Sequence, residues 1–323
     1  QVVDGSGILL YAAEGTIHSN VPDGPVNMGP QQVIGDGRGA WAVLDTMYNG
    51  WSFVRDSFFG FNPAYVTAVW DGSNHEPEQL PATEIRFGGG DQWDEDVILH
   101  EYGHAILSQI YGAFPAIPDS VGPHTFNDHS TQRIAFSEGW AHFFAVATNF
   151  QYAAGDGLAP RDTWLRSLRF NVNEDLEAWD PTPVCGTATN PTVCDDAEGV
   201  VATILWDIYD LANDDQTLNW AGSDTLSGVG ITPIIDVIMN SFIQGHRPYT
   251  INEFWTGWFA RSHNQAQPMW GIYNDHGISM DNTPPTGSII INSGASSTTS
   301  TSVSLTLTYG DDLSGVSRVR YSN

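Results

Sequence analysis

The pentapeptide His-Glu-Tyr-Gly-His at residues 100–104 limits the possible folds of this 323-residue chain more than any other stretch. It lies in DVILHEYGHAILSQIYG, an apolar segment whose spacing predicts a helix over residues 96–112. On a helix, His100 and His104 share a face, so both imidazoles can reach one metal ion, with Glu101 beside it as a base. Two histidines and a carboxylate in a buried helix are costly without a partner. The segment therefore predicts a zinc site, and the alternative is a chance match on a surface helix.

A catalytic zinc ion takes a third ligand from the protein and leaves a fourth position open. Leu107 and Ile110 stand where metzincins have a glycine and a third histidine, so that class is excluded. Glu138 is the best candidate ligand, because it lies in an otherwise apolar segment, residues 134–150, that has helical spacing. A glutamate that forms a salt bridge in the core is the structural alternative. The competing ligands belong to the preceding polar loop: His124, Asp128 and His129.

Hydrophobic periodicity divides the chain into three predicted domains. They are a strand-containing lobe over residues 1–96, a mainly helical lobe over 97–282 and a β segment over 283–323. The predicted strands cover residues 64–70 and 83–90. Further helices are predicted at residues 40–60, 198–212 and 233–243, and after a capping box of Thr250 and Glu253. The predicted fold class is therefore α+β.

The last segment differs in composition from the rest of the chain. Pro284 and Pro285 indicate a linker, and the Ser- and Thr-rich stretch that follows alternates like β-strands. It resembles the opening strands of a bacterial immunoglobulin-like repeat. The segment is too short to close a sandwich of about 100 residues, so either it continues into a longer tail or it packs on the body.

Charge and cysteine content exclude some functions. The 38 acidic and 11 basic residues give a formal net charge of −27. Such a surface repels phosphate backbones and anionic lipids, and no apolar stretch of about 18 residues predicts membrane insertion. Cys185 and Cys194 bracket a short loop, which favours a local disulfide over two free thiols. These features indicate a secreted protein, although simple solubility explains the charge equally well. No oligomeric state is indicated.

The motifs HEYGHA (residues 100–105) and SEGWAHFFA (137–145) resemble those of the gluzincin metallopeptidases, the thermolysin and fungalysin families. A third helix, over Gly199 to Asp207, is similar to theirs, so the resemblance spans roughly residues 96–212. It implies a thermolysin-like zincin, with a strand-containing lobe and a helical lobe flanking a cleft. It also implies that TEIRFGGG (83–90) is the edge strand that pairs with an extended polypeptide substrate. His124 lies nearer than Glu138 to the ligand spacing of thermolysin.

For the site, the resemblance implies zinc ligands at His100, His104 and Glu138, with Glu101 as general base and proton shuttle. Two positions depart from the family pattern. His142 replaces an aspartate that orients a zinc histidine, so it either hydrogen-bonds a ligand or is a core histidine. The families also place an oxyanion-stabilising histidine before the third helix, where this chain has only acidic residues and Ala197.

The donor to the oxyanion must then come from elsewhere. The candidates are Tyr209, Tyr249, His263, Tyr273 and His276. The acidic residues before the third helix, Asp195, Asp196 and Glu198, suit Ca²⁺ as hard oxygen ligands, or they form a solvated helix N-terminus.

The sequence as a whole predicts a secreted zinc endopeptidase in which Glu101 activates the attacking water. Two alternatives remain open. One is a zinc-binding adhesion or scaffold module without activity, since the expected oxyanion histidine is missing. The other is a hydrolase of a non-peptide amide or of a glycoprotein.

Overall fold

The computed structural model describes residues 2–3, 38–70, 76–81, 83–152, 163–187, 190–191, 193–210, 226, 229–243, 245–280 and 286–310. The chain divides into two compact units, Gln1–Ile278 and Ser279–Asn323. Helices and strands both occur in the first unit, which confirms the predicted mixed class. The division of that unit into lobes at residue 96 stays a prediction. The predicted linker at Pro284–Pro285 lies outside the described residues.

The described residues of the first unit form eight α-helices: α1 (Arg38–Ser57), α2 (Glu95–Tyr111), α3 (Gln132–Tyr152), α4 (Thr182–Cys185), α5 (Glu198–Tyr209), α6 (Ile231–Asn240), α7 (Ile251–Ala260) and α8 (Ala266–Asp275). Among them, none combines the length and hydropathy that a bilayer-spanning segment requires. The predicted helices are confirmed as α1, α2, α3, α5 and α6, with ends that differ by a few residues. The capping box is confirmed before α7, since the Thr250 side chain accepts from the N–H of Glu253.

A four-stranded sheet contains β1 (Val2–Val3), β2 (Thr67–Trp70), β3 (Glu78–Leu80) and β4 (Glu84–Phe87), in the order β1-β2-β4-β3. β2 runs parallel to β1 and to β4, whereas β3 pairs antiparallel with β4.

The prediction that residues 83–90 form the edge strand is wrong. β4 has a neighbouring strand on each side, and two of its own residues, Ile85 and Phe87, are fully buried. β3 lies beyond β4, so Glu78–Leu80 ends the sheet among the described strands.

Helix α2 forms where local signals and burial agree. Asp94 caps its N-terminus by accepting from the N–H of Val97, and Glu95 places an acidic side chain in the first turn. Gly112 ends the helix in the left-handed conformation, and its N–H donates to the carbonyl of Ser108. Most of the helix between these caps is buried, including the whole segment from Val97 to Gly103.

Helix α3 packs on α2 on one side and on α5 on the other. Its residues 134–148 are all buried, so the helix forms the centre of the core. Gly139 lies at a close approach to α5. A Cβ at this position would lie 2.5 Å from Cβ of Val201 and 2.8 Å from the carbonyl oxygen of Glu198. Gly103 on α2 is less crowded, since a Cβ there would lie 3.2 Å from Cβ of Phe144.

We expect Gly139→Ala to lower the free energy of unfolding by about 1–3 kcal/mol, because backbone and a β-branched side chain block the added methyl group. Gly103→Ala is the matched control. Both changes gain up to about 1 kcal/mol of helix propensity, but only the first meets contacts below 3.0 Å. Urea denaturation of the metal-free proteins measures the difference. Equal stabilities of the two variants would contradict the tight packing of α3 on α5.

Three short strand pairs complete the described structure. β5 (Trp164–Ser167) pairs with β6 (Val172–Asp175), and β7 (Gly186–Thr187) pairs with β8 (Asn190–Pro191). The predicted disulfide between Cys185 and Cys194 is present beside this second pair. In the second unit, β9 (Thr286–Ile291) and β10 (Leu305–Gly310) form an antiparallel hairpin. The resemblance of that unit to an immunoglobulin-like repeat stays a prediction, and its predicted continuation over 311–323 lies outside the described residues.

Candidate metal centre

Helices α2 and α3 bring three predicted ligands to one point. Nε2 of His100 and Nε2 of His104 lie 3.2 Å and 3.0 Å from Oε2 of Glu138. The two Nε2 atoms are 3.1 Å apart. Ligand atoms of a tetrahedral zinc ion with bonds of 2.0–2.1 Å are separated by about 3.3 Å. The triangle therefore has nearly the size that a zinc ion requires.

The electrostatics of this triangle are set by burial and by the carboxylate. Burial lowers the pKa of His100 well below its usual value. Burial alone would also lower the pKa of His104, but the carboxylate of Glu138 raises it. Burial would raise the pKa of Glu138, but the two histidines bring it well below the usual range. The structure thus presents an ionised carboxylate and a neutral His100.

A chain of contacts runs from His100 into the core. Nδ1 of His100 lies 3.1 Å from Nδ1 of His142, whose Nε2 lies 3.2 Å from Oε2 of Glu198. Although burial would raise the pKa of Glu198, its histidine partners lower it, so this carboxylate accepts. The tautomer of His142 that carries its proton on Nε2 donates to Glu198, and its Nδ1 then accepts from Nδ1–H of His100.

This order of protons leaves Nε2 of His100 with a lone pair that faces Glu138 Oε2 at 3.2 Å. A lone pair and a carboxylate oxygen repel each other unless a cation lies between them. Two imidazoles and one carboxylate form the ligand set of a gluzincin-type zinc site. The donor set, its size and its tautomers therefore fit Zn²⁺.

Glu101 lies in the same cleft, which encloses about 730 Å³ and also includes the triangle. Burial raises the pKa of the Glu101 carboxyl to about 7. The main-chain N–H of Gln79 on β3 approaches this carboxylate and opposes part of the shift. All of β3 lies on the cleft wall, so the outermost described strand of the sheet borders the candidate centre.

The competing loop residues do not join the ligand triangle. Asp128 accepts from the hydroxyl of Thr125, and Nδ1 of His129 lies 2.6 Å from Asp196 Oδ1. His124 lines the cleft but is not among the group that converges on one point.

None of the five predicted oxyanion donors lines this cleft, so that prediction is wrong. Each is engaged elsewhere: Tyr209 packs against Phe143, Tyr249 stacks on His246, His263 lies 2.9 Å from Asp236, Tyr273 donates to the carbonyl of Ile251, and His276 contacts the carbonyl of Ile272.

The predicted Ca²⁺ cluster is not formed. Among the described residues, Asp195, Asp196 and Glu198 do not converge into a group that could hold an ion. Their carboxylates turn to separate partners, since Oδ2 of Asp195 accepts from Gln132 and Asn252 while Asp196 pairs with His129.

Sequence reasoning missed two residues of the site. Glu198 was assigned to a calcium cluster or to solvent, but it is 1% exposed and connects to two histidines. The sequence feature that could have identified Glu198 is its position as the acidic first residue of a largely apolar helix. Phe170 also went unnoticed, although its ring packs on His100 and His142 at centroid distances of 4.6 Å and 5.8 Å. No sequence signal distinguishes it from the other aromatic residues of the chain.

Comparison with known proteins gives one family match. The sequence profile of the family described as the Mycolysin C-terminal domain matches residues 61–271. Among solved structures, the precursor of protealysin, a metalloproteinase from Serratia proteamaculans, is similar with a TM-score of 0.46 and 11% sequence identity. That similarity covers 76% of this chain and 79% of the other. A comparison with curated proteins found no relative. The profile range includes every residue of the candidate centre.

Proposed function

This chain belongs to the Mycolysin C-terminal domain family, and on that premise we propose that it is a zinc-dependent endopeptidase of the thermolysin-like class. One observation carries the proposal: two histidines and a glutamate converge in a cleft that also holds Glu101. The family match supports the assignment, since it covers the same residues. His100, His104 and Glu138 would hold the ion.

When bound, Zn²⁺ lowers the pKa of a coordinated water to about 7 and polarises a carbonyl. The protein supplies the proton chemistry. Glu101 accepts a proton from the attacking water at its carboxylate and delivers it to the amine nitrogen as the C–N bond breaks. Burial raises the pKa of this carboxyl, which makes it a stronger base than an exposed glutamate. His142 accepts from Nδ1–H of His100 and so keeps Nε2 of that ligand free of a proton.

We propose that an extended polypeptide substrate binds along β3, the last strand of the sheet among the described residues. Gln79 in this strand lies beside Glu101, so a peptide paired with β3 would pass the base. Main-chain hydrogen bonds to a strand edge recognise any extended peptide, which suits an endopeptidase. The charge of −27 disfavours nucleic acid as a partner, and membrane insertion is not part of the proposal.

Secretion is part of the same proposal. The disulfide between Cys185 and Cys194 supports it, because such bonds persist in oxidising compartments. The acidic surface is consistent with an extracellular enzyme, but simple solubility explains it equally well.

The direct test measures casein cleavage by the zinc-loaded protein and after removal of zinc with 1,10-phenanthroline. We expect cleavage with one equivalent of zinc, loss of cleavage on chelation, and recovery when zinc is restored. A protein that retains one equivalent of zinc but cleaves neither casein nor a peptide library would favour the scaffold alternative. Cleavage that chelation does not affect would contradict the metal mechanism.

A further inference from the structure

His124 lies on the wall of the metal-site cleft, and none of the steps above uses it. It lines this cleft together with Glu101 and Glu138. Its side chain is 36% exposed, whereas those of His100 and His142 are only 3% exposed. It is therefore a histidine of the cleft that a bound substrate can reach.

The loop that carries His124 is fixed to the start of α5. The carbonyl of Phe126 accepts from the N–H of Gly199 at 3.0 Å, and the N–H of Ser130 donates to the carbonyl of Asp196 at 2.9 Å. These main-chain hydrogen bonds hold the loop against the same helix end that carries Glu198. The position of His124 in the cleft is thus set by the fold.

The side chain of Glu198 engages one nitrogen of His124. Nδ1 lies 2.7 Å from Oε1 of Glu198, while the second oxygen of that carboxylate contacts His142. Among the residues that the structure describes, Nε2 of His124 has no hydrogen-bond partner. The ion pair orients the ring and leaves Nε2 as the polar atom available to a ligand in the cleft.

We propose that His124 is a catalytic residue whose Nε2–H donates a hydrogen bond to the carbonyl oxygen of the scissile peptide as negative charge develops on that oxygen, with Glu198 as its positioning residue. This inference rests on the proposed function. It supplies the oxyanion donor that is missing before α5. The histidine lies on the loop between α2 and α3, and the carboxylate that positions it lies at the start of α5. Preorganised donors of this kind are among the largest contributions to acyl-transfer catalysis.

The reaction balances without proton transfer by His124. The water oxygen forms a bond to the carbonyl carbon, and the carbonyl π electrons move to the oxygen that His124 stabilises. The carbonyl then re-forms, and the C–N bond breaks with its electron pair on nitrogen, which takes the proton from Glu101. His124 keeps both of its protons throughout.

The charges around His124 favour this role. The ion pair with Glu198 raises the pKa of His124 to about 9 against the opposing effect of burial, and the carboxylates of Glu138 and Glu101 add to the shift. The opposing positive group is His104 on α2. Nδ1 lies within ion-pair distance of Glu198, and in the imidazolium form Nε2 carries a proton as well. At neutral pH that form predominates, so Nε2 is a donor.

The test compares His124→Ala and His124→Gln with His129→Ala, a matched control. His129 lies in the same loop, pairs with Asp196 and is 43% exposed, but it does not line the cleft. We expect His124→Ala to lower kcat by about 100- to 1,000-fold with little change in KM and full zinc content. Affinity for a peptide phosphonate, whose anionic oxygen imitates the developing oxyanion, should fall in the same proportion. His124→Gln should recover part of both losses, and the control should match wild type.

Three outcomes separate the possibilities. If both His124 variants lose zinc, then His124 is a ligand and the inference is wrong. If they bind zinc and cleave at the rate of His129→Ala, the inference is also wrong while the proposed function stands. A wild-type protein that binds zinc and cleaves nothing overturns the proposed function itself.

The pH profile tests the role of Glu198. Activity that needs the imidazolium is present below the pKa of His124, which Glu198 raises, and is lost as pH rises through that pKa. In Glu198→Gln, which removes the carboxylate that raises this pKa, we expect the alkaline limb of kcat/KM to move to lower pH. An unchanged limb would exclude Glu198 as the positioning residue.

Discussion

Glu101→Gln is expected to reduce peptide hydrolysis by about 100- to 10,000-fold while zinc binding persists. The amide has almost the same shape as the carboxyl group but cannot accept a proton from water. Glu101 points into the cleft beside the ligand triangle and is not one of its members, so the change leaves the three ligands in place. Zinc content, casein cleavage and the affinity for a peptide phosphonate together measure the effect.

Glu95→Gln is the matched control, because it makes the same chemical change at an exposed position in the first turn of the same helix. We expect this variant to have wild-type activity. If Glu101→Gln cleaved casein at the wild-type rate, Glu101 would not be the base and the assigned mechanism would be wrong. If it lost zinc, the carboxylate would be needed to hold the metal, which the geometry does not indicate.

The sequence predicted the three central helices because their signals are local. The bounds of α2 follow from the Asp94 cap and Gly112, and both are visible as residue types in the right order. The ligand triangle was predictable for a related reason. Spacing along α2 places His100 and His104 together, and a lone acid in an apolar helix indicates a partner in the core.

The edge strand was mispredicted because strand order depends on long-range pairing. Ile85 and Phe87 gave β4 a strong strand pattern, whereas its place at the edge was implied only by the resemblance to the gluzincins. β3 is short and polar, with the sequence Glu78-Gln79-Leu80, and carries no comparable signal. Its place beside β4 is set by tertiary packing around the cleft.

The contacts that connect His100 to His142 and Glu198 could not be predicted from residue spacing alone. His142 and Glu198 lie on different helices and meet only because Gly139 lets α3 and α5 approach closely. The sequence left two roles open for His142, and the contact with His100 favours the hydrogen-bonding one. Such couplings follow from helix packing, which single-sequence periodicity does not determine.

The two roles that the sequence allowed for Glu138 predict different results for Glu138→Ala. As a metal ligand, its loss should weaken zinc binding by at least about 100-fold, more than the loss of an outer partner usually costs, and abolish hydrolysis. As a salt-bridged core residue, its loss should lower the stability of the metal-free protein and leave zinc affinity unchanged. Zinc titration and thermal unfolding, each with and without a chelator, distinguish these results.

Linkage gives the size of the expected difference in stability. Zinc at 100 times its Kd stabilises a folded protein by about 2.7 kcal/mol, so the melting temperature of the wild type should rise when zinc is added. Glu138→Ala should show no such rise at the same concentration, because the two histidines alone hold the ion too weakly. His129→Ala should respond to zinc like the wild type, since His129 pairs with Asp196 away from the triangle. Equal zinc responses of Glu138→Ala and the wild type would remove Glu138 from the metal site and, with it, the geometric basis for a peptidase.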